Sequence, residues 1–138
     1  MTVYVDSNYW IYWMDRRHPE HEFVARAMRR AVKDGIILNV ATLVEVAHYF
    51  RGLEQHEFSS RVDEMRNLST LTLVDLDLAT ADIAVRLLAR YAKAGLGGRD
   101  AVILATMQLQ GVERILTHDR DFRKVKGIAV IDAIPQRL

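Results

Sequence analysis

The chain predicts an α/β fold of three layers, a parallel sheet of four to five strands flanked by helices, and three observations lead there. Short β-rich runs recur at Thr2–Asp6, Ile36–Val40, Leu71–Val74, Arg114–Thr117 and Ile128–Ile131. Segments with apolar residues at helical spacing separate most of them, as parallel strands require, because each crossover needs a helix. Glycines close those segments at Gly35, Gly95 and Gly111, the position where a helix commonly ends.

Taken in order, Thr2 to Asp6 is a strand, and Ser7-Asn8 after it can start a helix. Pro19 opens a helical pattern closing at Gly35, with Val24, Ala27, Met28, Ala31 and Val32 on one face; Glu20 and Glu22 in its first turn and Lys33 in its last suit the macrodipole. Ile36 to Val40 is the second strand. Ala41 to Leu53 reads as a helix with Leu43, Val46, Ala47 and Phe50 on its core face, and Phe58 to Leu68 as a weaker one. After the Leu71–Val74 strand, Asp77 or Thr80 caps a helix running to Ala94, with Ala84, Leu87, Leu88 and Tyr91 as its stripe. Arg99 to Gln110 is apolar nearly all round and therefore expected to be buried. A short helix separates the last two strands.

Bulk properties set the class. A chain of 138 residues, half of them hydrophobic and with 27% charged, can bury one core as a single domain over 1–138. No cysteine is present, which excludes disulfides and thiolate chemistry and is compatible with the cytoplasm. No apolar run reaches the ~18 residues of a membrane-spanning helix, and the N-terminus does not read as a signal peptide. A net charge of +1 says little about nucleic acid. Basic clusters at Arg16-Arg17-His18, Arg26 to Lys33 and Arg120 to Lys126 read first as solvated faces and only second as phosphate contacts.

The acids carry the chemistry. Asp6 ends the first strand, Glu45 lies early in the helix after the second, Asp100 opens the buried helix after Gly97-Gly98, and Asp119 and Asp121 follow the fourth strand. Ligands of open parallel sheets bind where the strands end, at the topological switch point, so these acids are expected to meet at one rim. Crowded carboxylates persist when a divalent cation neutralises them or when some take up protons. An oxygen donor set without cysteine or paired histidines favours Mg²⁺ or Mn²⁺, the usual equipment for phosphodiester hydrolysis. Capping alone accounts for Asp6, Asp100 or Asp119 taken singly. Glu45 points away from its helix's core face, so solvent exposure is its simplest explanation. His18, His21, His48, His56 and His118 show no ligand spacing, and only His118 lies beside the acids.

Four segments in this order resemble the PIN-domain nucleases and, within them, the VapC-type toxins of prokaryotic toxin–antitoxin pairs. They are Val5-Asp6-Ser7-Asn8, Thr42-Leu43-Val44-Glu45-Val46, the run from Gly98 to Ala105, and the run from Leu116 to Phe122. The resemblance spans the chain from Val3 onward. It implies Mg²⁺- or Mn²⁺-dependent endoribonuclease activity on an RNA substrate, with Asp6, Glu45 and Asp100 as core acids and Asp119 as the fourth, supported by Thr117 and Asn8. Asp119 is expected to be the closer metal ligand, Asp121 a capping or water-mediated residue, and Phe122 a core anchor. A small antitoxin and a second copy of the chain are the implied partners. The aromatic run Tyr9 to Met14 reads either as core or as an apolar surface for such a partner.

Two rivals are weighed. Aspartyl phosphotransferases also place an Asp after the first strand, but the haloacid-dehalogenase pattern needs a second Asp where this chain has Asn8, and a receiver-type domain needs a lysine where Thr117-His118 stand. A catalytically silent PIN-like binding module would be expected to lack one of the acids; none is missing.

Overall fold

The computed structural model describes residues 1–136; positions 137 and 138 of the expected 1–138 span lie outside them. Five strands form one parallel sheet: β1 (Val3–Val5), β2 (Ile36–Asn39), β3 (Leu71–Val74), β4 (Arg114–Leu116) and β5 (Ala129–Ile131), in the order β3-β2-β1-β4-β5. Every residue of β1 and β2 is buried, with no inside-outside alternation, so both faces of the central sheet are covered. The edge strands β3 and β5 are partly exposed, as is Arg114 at the start of β4.

Six helices supply that cover: α1 (Ser7–Met14), α2 (His21–Asp34), α3 (Val40–Phe50), α4 (Gln55–Arg66), α5 (Leu78–Arg90) and α6 (Gly98–Gln110). Helix α1 packs on α2 and α3, and α5 packs along α6. The predicted faces hold: Val24, Met28 and Ala31 of α2 and Ala84 and Leu87 of α5 are buried, with Ala27, Val32, Leu88 and Tyr91 packed around them. Helix α6 buries Asp100, Ala101 and Ile103 through Met107, as its apolar sequence requires.

The ends of elements shift for local polar reasons. Asn39 accepts a hydrogen bond from the Ala41 amide at 2.9 Å, so α3 starts at Val40 and takes that residue from β2. Glu54 accepts from the amides of His56 and Glu57, which starts α4 at Gln55, ahead of its apolar pattern. Pro19 sits in a turn, and α2 begins only at His21. Asp77 caps α5 through the Thr80 amide and hydroxyl, so Asp77 rather than Thr80 is the cap. That helix ends at Arg90, and Ala92–Ala94 form a 3-10 turn closed by Gly95 at φ 79°.

Buried polar side chains tie the layers together. The Tyr4 hydroxyl accepts from the Asn39 amide at 3.1 Å and shares a 2.7 Å hydrogen bond with Thr42. Asn39 Nδ2 donates to Thr106 Oγ1 at 3.0 Å, joining β2 to α6. Burial pushes the Tyr4 pKa up to about 12, so this network is neutral.

Candidate active site

The chain runs outward from β1 through β2 to β3, then returns to the other side of β1 for β4 and β5. The switch therefore lies between β1 and β4, whose C-terminal ends carry Asp6 and the Thr117–Asp119 loop. Asp6 is fully buried and caps α1. Its Oδ1 accepts from the Ser7 amide at 2.7 Å, and its Oδ2 accepts from the Thr117 hydroxyl at 2.7 Å. Thr117 Oγ1 in turn accepts from the Asp119 amide at 3.0 Å, so one hydroxyl sets both the carboxylate of Asp6 and the backbone of the next acid. Asp119 caps a 3-10 turn, Arg120–Lys124, by accepting from the Asp121 amide at 2.9 Å. Phe122 anchors that turn, fully buried in the core.

One guanidinium joins the acids. Arg99 Nη1 lies 2.8 Å from Asp6 Oδ1 and 3.4 Å from Glu45 Oε2, while Nη2 lies 3.0 Å from Asp100 Oδ1 and 3.4 Å from Asp119 Oδ2. Four carboxylates from four separate segments thus surround one cation. Among the described residues two buried oxygens of the cluster have no hydrogen-bond partner: Glu45 Oε1, and Asp100 Oδ1, whose approach to Arg99 is out of line for one. One oxygen each of Asp100, Asp119 and Asp121 also lie within 4.8 Å of one another.

The electrostatics follow. Burial is the largest influence on Glu45 and Asp100 and raises both carboxyls above their ordinary values; Arg99 opposes it, and neighbouring acids add to it. Burial lowers the Arg99 pKa, but Asp6, Glu45 and Asp100 outweigh that, and the net shift is upward. The site holds more anionic charge than one arginine balances. Hard carboxylate oxygens, two of them buried without a hydrogen bond, fit a divalent cation such as Mg²⁺ or Mn²⁺.

Several expectations need correction in detail. Asp100 is not a cap: the cap position of α6 is Gly97, and Asp100 sits in the first turn with its side chain turned into the cluster. Glu45 is not a free solvent-exposed glutamate, because α6 brings Arg99 against it. Among the described residues Asn8 makes no hydrogen bond to an acid; its Oδ1 accepts from the His118 amide at 3.5 Å. Of the aromatic run, Tyr9 and Trp10 are wholly core, with Trp10 Nε1 donating to the Val5 carbonyl at 3.1 Å, while Ile11 through Met14 are half-buried. Asp121 is more exposed than Asp119 and pairs with Lys124 at 3.2 Å.

Sequence reasoning missed two residues. Arg99 was legible only as the lone cation in an otherwise apolar helix. Asp132 follows β5 directly, the strand-end position that singled out the other acids. Its Oδ2 lies 2.7 Å from His118 Nδ1, and its Oδ1 accepts from the Tyr9 hydroxyl at 2.7 Å, so His118 is held beside the acidic rim by a buried carboxylate.

Comparisons with known proteins agree with this architecture. Among solved structures, the fold is similar to that of VapC20 of Mycobacterium tuberculosis, described as a sarcin–ricin loop cleaving toxin. The TM-score is 0.77 at 15% identity, over 91% of this chain and 96% of that one. It is also similar to VapBC2 of Rickettsia felis bound to a promoter DNA fragment, with TM-score 0.74, 17% identity, and 96% and 98% of the two chains covered. DNA-bound VapBC of Salmonella typhimurium gives TM-score 0.74 at 22% identity, covering 97% of this chain and 100% of that one. No curated protein sequence matches the chain. At these identities the structures speak for the fold alone. The PIN domain family model, however, matches residues 3–128, and the chain belongs to the PIN-domain family.

Proposed function

We propose that this chain is a Mg²⁺- or Mn²⁺-dependent endoribonuclease, the toxin of a toxin–antitoxin pair, working as one domain in the cytoplasm. The observation that carries the reading is the convergence of Asp6, Glu45, Asp100 and Asp119 on one point at the switch between β1 and β4. Asp6, Glu45, Asp100 and Asp119 are the catalytic acids and hold the metal, with Asp121 at the edge of the site. A bound ion supplies Lewis acidity, lowering the pKa of water and offsetting charge on the scissile phosphate. The protein's part is positional. Thr117 keeps Asp6 turned into the site, the turn capped by Asp119 fixes the loop, and burial of α6 fixes Asp100.

The RNA substrate and the antitoxin partner are supported by what the similar structures are: a sarcin–ricin loop cleaving toxin, a toxin–antitoxin complex from Klebsiella pneumoniae and VapBC assemblies. A homodimer completes the reading, with the half-buried residues Ile11 to Met14 as part of the apolar surface offered to partners. Among the described residues no helix is long and apolar enough to cross a membrane.

The test is cleavage of single-stranded RNA by purified protein, with EDTA and with metal restored. Activity is expected to vanish in EDTA and return with excess Mg²⁺ or Mn²⁺. Asp100→Asn is expected to lose nearly all turnover while remaining folded. Undiminished cleavage in EDTA would end the reading, as would clean protein that neither binds metal nor cuts any RNA.

A further inference from the structure

Arg99 has a role that the acids alone do not suggest. It is the second residue of α6, and its fork reaches four carboxylates at once. Nη2 rests on Asp100 and Asp119, two of the three residues whose oxygens gather closely enough to share an ion. A guanidinium there competes with a divalent cation for the same carboxylates. Metal–oxygen bonds of about 2.1 Å would draw those oxygens onto the ion, and the two cations repel.

We propose that Arg99 is the built-in counter-ion of the metal-free site, and that metal binds by displacing its guanidinium from Asp100 and Asp119. The inference rests on the metal-site reading above and deepens it. Arg99 is well suited to hold the site and to yield it. Its side chain is about one-third exposed at 36%, so it has a path outward, whereas Asp6 beneath it is fully buried. It also leaves Glu45 Oε1 and Asp100 Oδ1 without hydrogen bonds, a deficit an ion with several coordination positions can remove. Its resting position keeps four acids from facing one another uncompensated when metal is scarce. The consequence is a threshold: metal affinity is set by the difference between ion and guanidinium binding, not by the carboxylates alone.

The experiment uses metal alone, without RNA. Mn²⁺ binding is measured by calorimetry on the wild-type chain, Arg99→Gln and Arg99→Lys. Arg99→Gln is expected to bind Mn²⁺ about tenfold or more tightly than wild type, because one unit charge a few ångströms away is removed. Arg99→Lys, which keeps the charge without the fork, should fall between them. Should Arg99→Gln not fold without metal, NMR of the wild-type chain decides. The Arg99 Nε–H resonance, assigned by its loss in Arg99→Lys, is expected to shift with Mg²⁺ and to saturate together with binding. Equal or weaker binding by Arg99→Gln, or an unmoved Arg99 signal at metal saturation, overturns the displacement while the metal site stands. No saturable binding by any of the three proteins overturns both.

Discussion

Asp6 caps α1 and faces the acidic cluster, and two substitutions separate those roles. Asp6→Asn keeps an oxygen for the Ser7 amide, and Thr117, able to turn its hydroxyl, still has a partner. Its charge-assisted contact with Arg99 weakens, but repulsion from Glu45 and Asp100 falls as well, so stability should stay within about 1 kcal/mol of wild type. Asp6→Ala removes the cap, at about 1 kcal/mol. It also strands the Thr117 hydroxyl, only 1% exposed, at about 1–3 kcal/mol more. The sum is roughly 2–4 kcal/mol against a total of about 5–15 for a folded domain. At this length that is a fall in Tm of roughly 6–15 °C. Thermal unfolding followed by circular dichroism in EDTA reads this term; RNA cleavage reads the other. Stability should separate the two variants, whereas activity should be lost in both. Asn as active as wild type would reduce Asp6 to a cap, and Ala as stable as Asn would refute the hydrogen-bond accounting.

Three further outcomes are expected. Burial raises the folded-state pKa of Glu45 and Asp100, so the folded chain binds protons more tightly than the unfolded one just above the ordinary carboxylate values of 4.5 and 3.8. Metal-free stability should therefore rise as pH falls from neutral into that window, and saturating Mg²⁺ should flatten the rise; a metal-free Tm that falls monotonically from pH 7 would contradict it. Asp119→Asn should raise the metal concentration needed for activity more than Asp121→Asn does, since Asp121 is the more exposed and is paired with Lys124; the reverse order in metal titrations of both folded variants would exchange the two roles. Tyr4→Phe leaves the Asn39 amide and Thr42 hydroxyl without their partner and should cost about 1–3 kcal/mol in urea unfolding, with turnover per folded molecule unchanged.

The order and type of elements could be read from hydrophobic period and glycine placement, because those patterns record which faces are buried. What escaped was set by side-chain hydrogen bonds. The caps made by Asn39 and Glu54 override periodicity at the starts of α3 and α4, since one satisfied amide outweighs the weak preference of a flanking residue. At the site, strand-end position brought forward Asp6, Asp119 and Asp121, and the apolar helix brought forward Asp100. Glu45 could not be judged from its own helix, because its partner Arg99 arrives from α6, far away in the chain. Asp132 obeys the same strand-end rule. Its role shows only once Tyr9 and His118 are seen on either side of it.

The sheet order has a consequence for synthesis. β1 is made before the other strands, yet it pairs on one side with β2 and on the other with β4, the fourth strand in sequence. Asp6 therefore exists on the growing polypeptide long before Thr117, which orients its carboxylate, or Asp119. Until Arg114–Leu116 slots in beside it, β1 keeps one edge unpaired. No fragment ending before that strand contains the assembled cluster, so the acidic site is completed only once β4 and the Thr117–Asp119 loop have been made. That same delay leaves β1 with an unpaired backbone edge next to Asp6, where aggregation competes with completion of the fold.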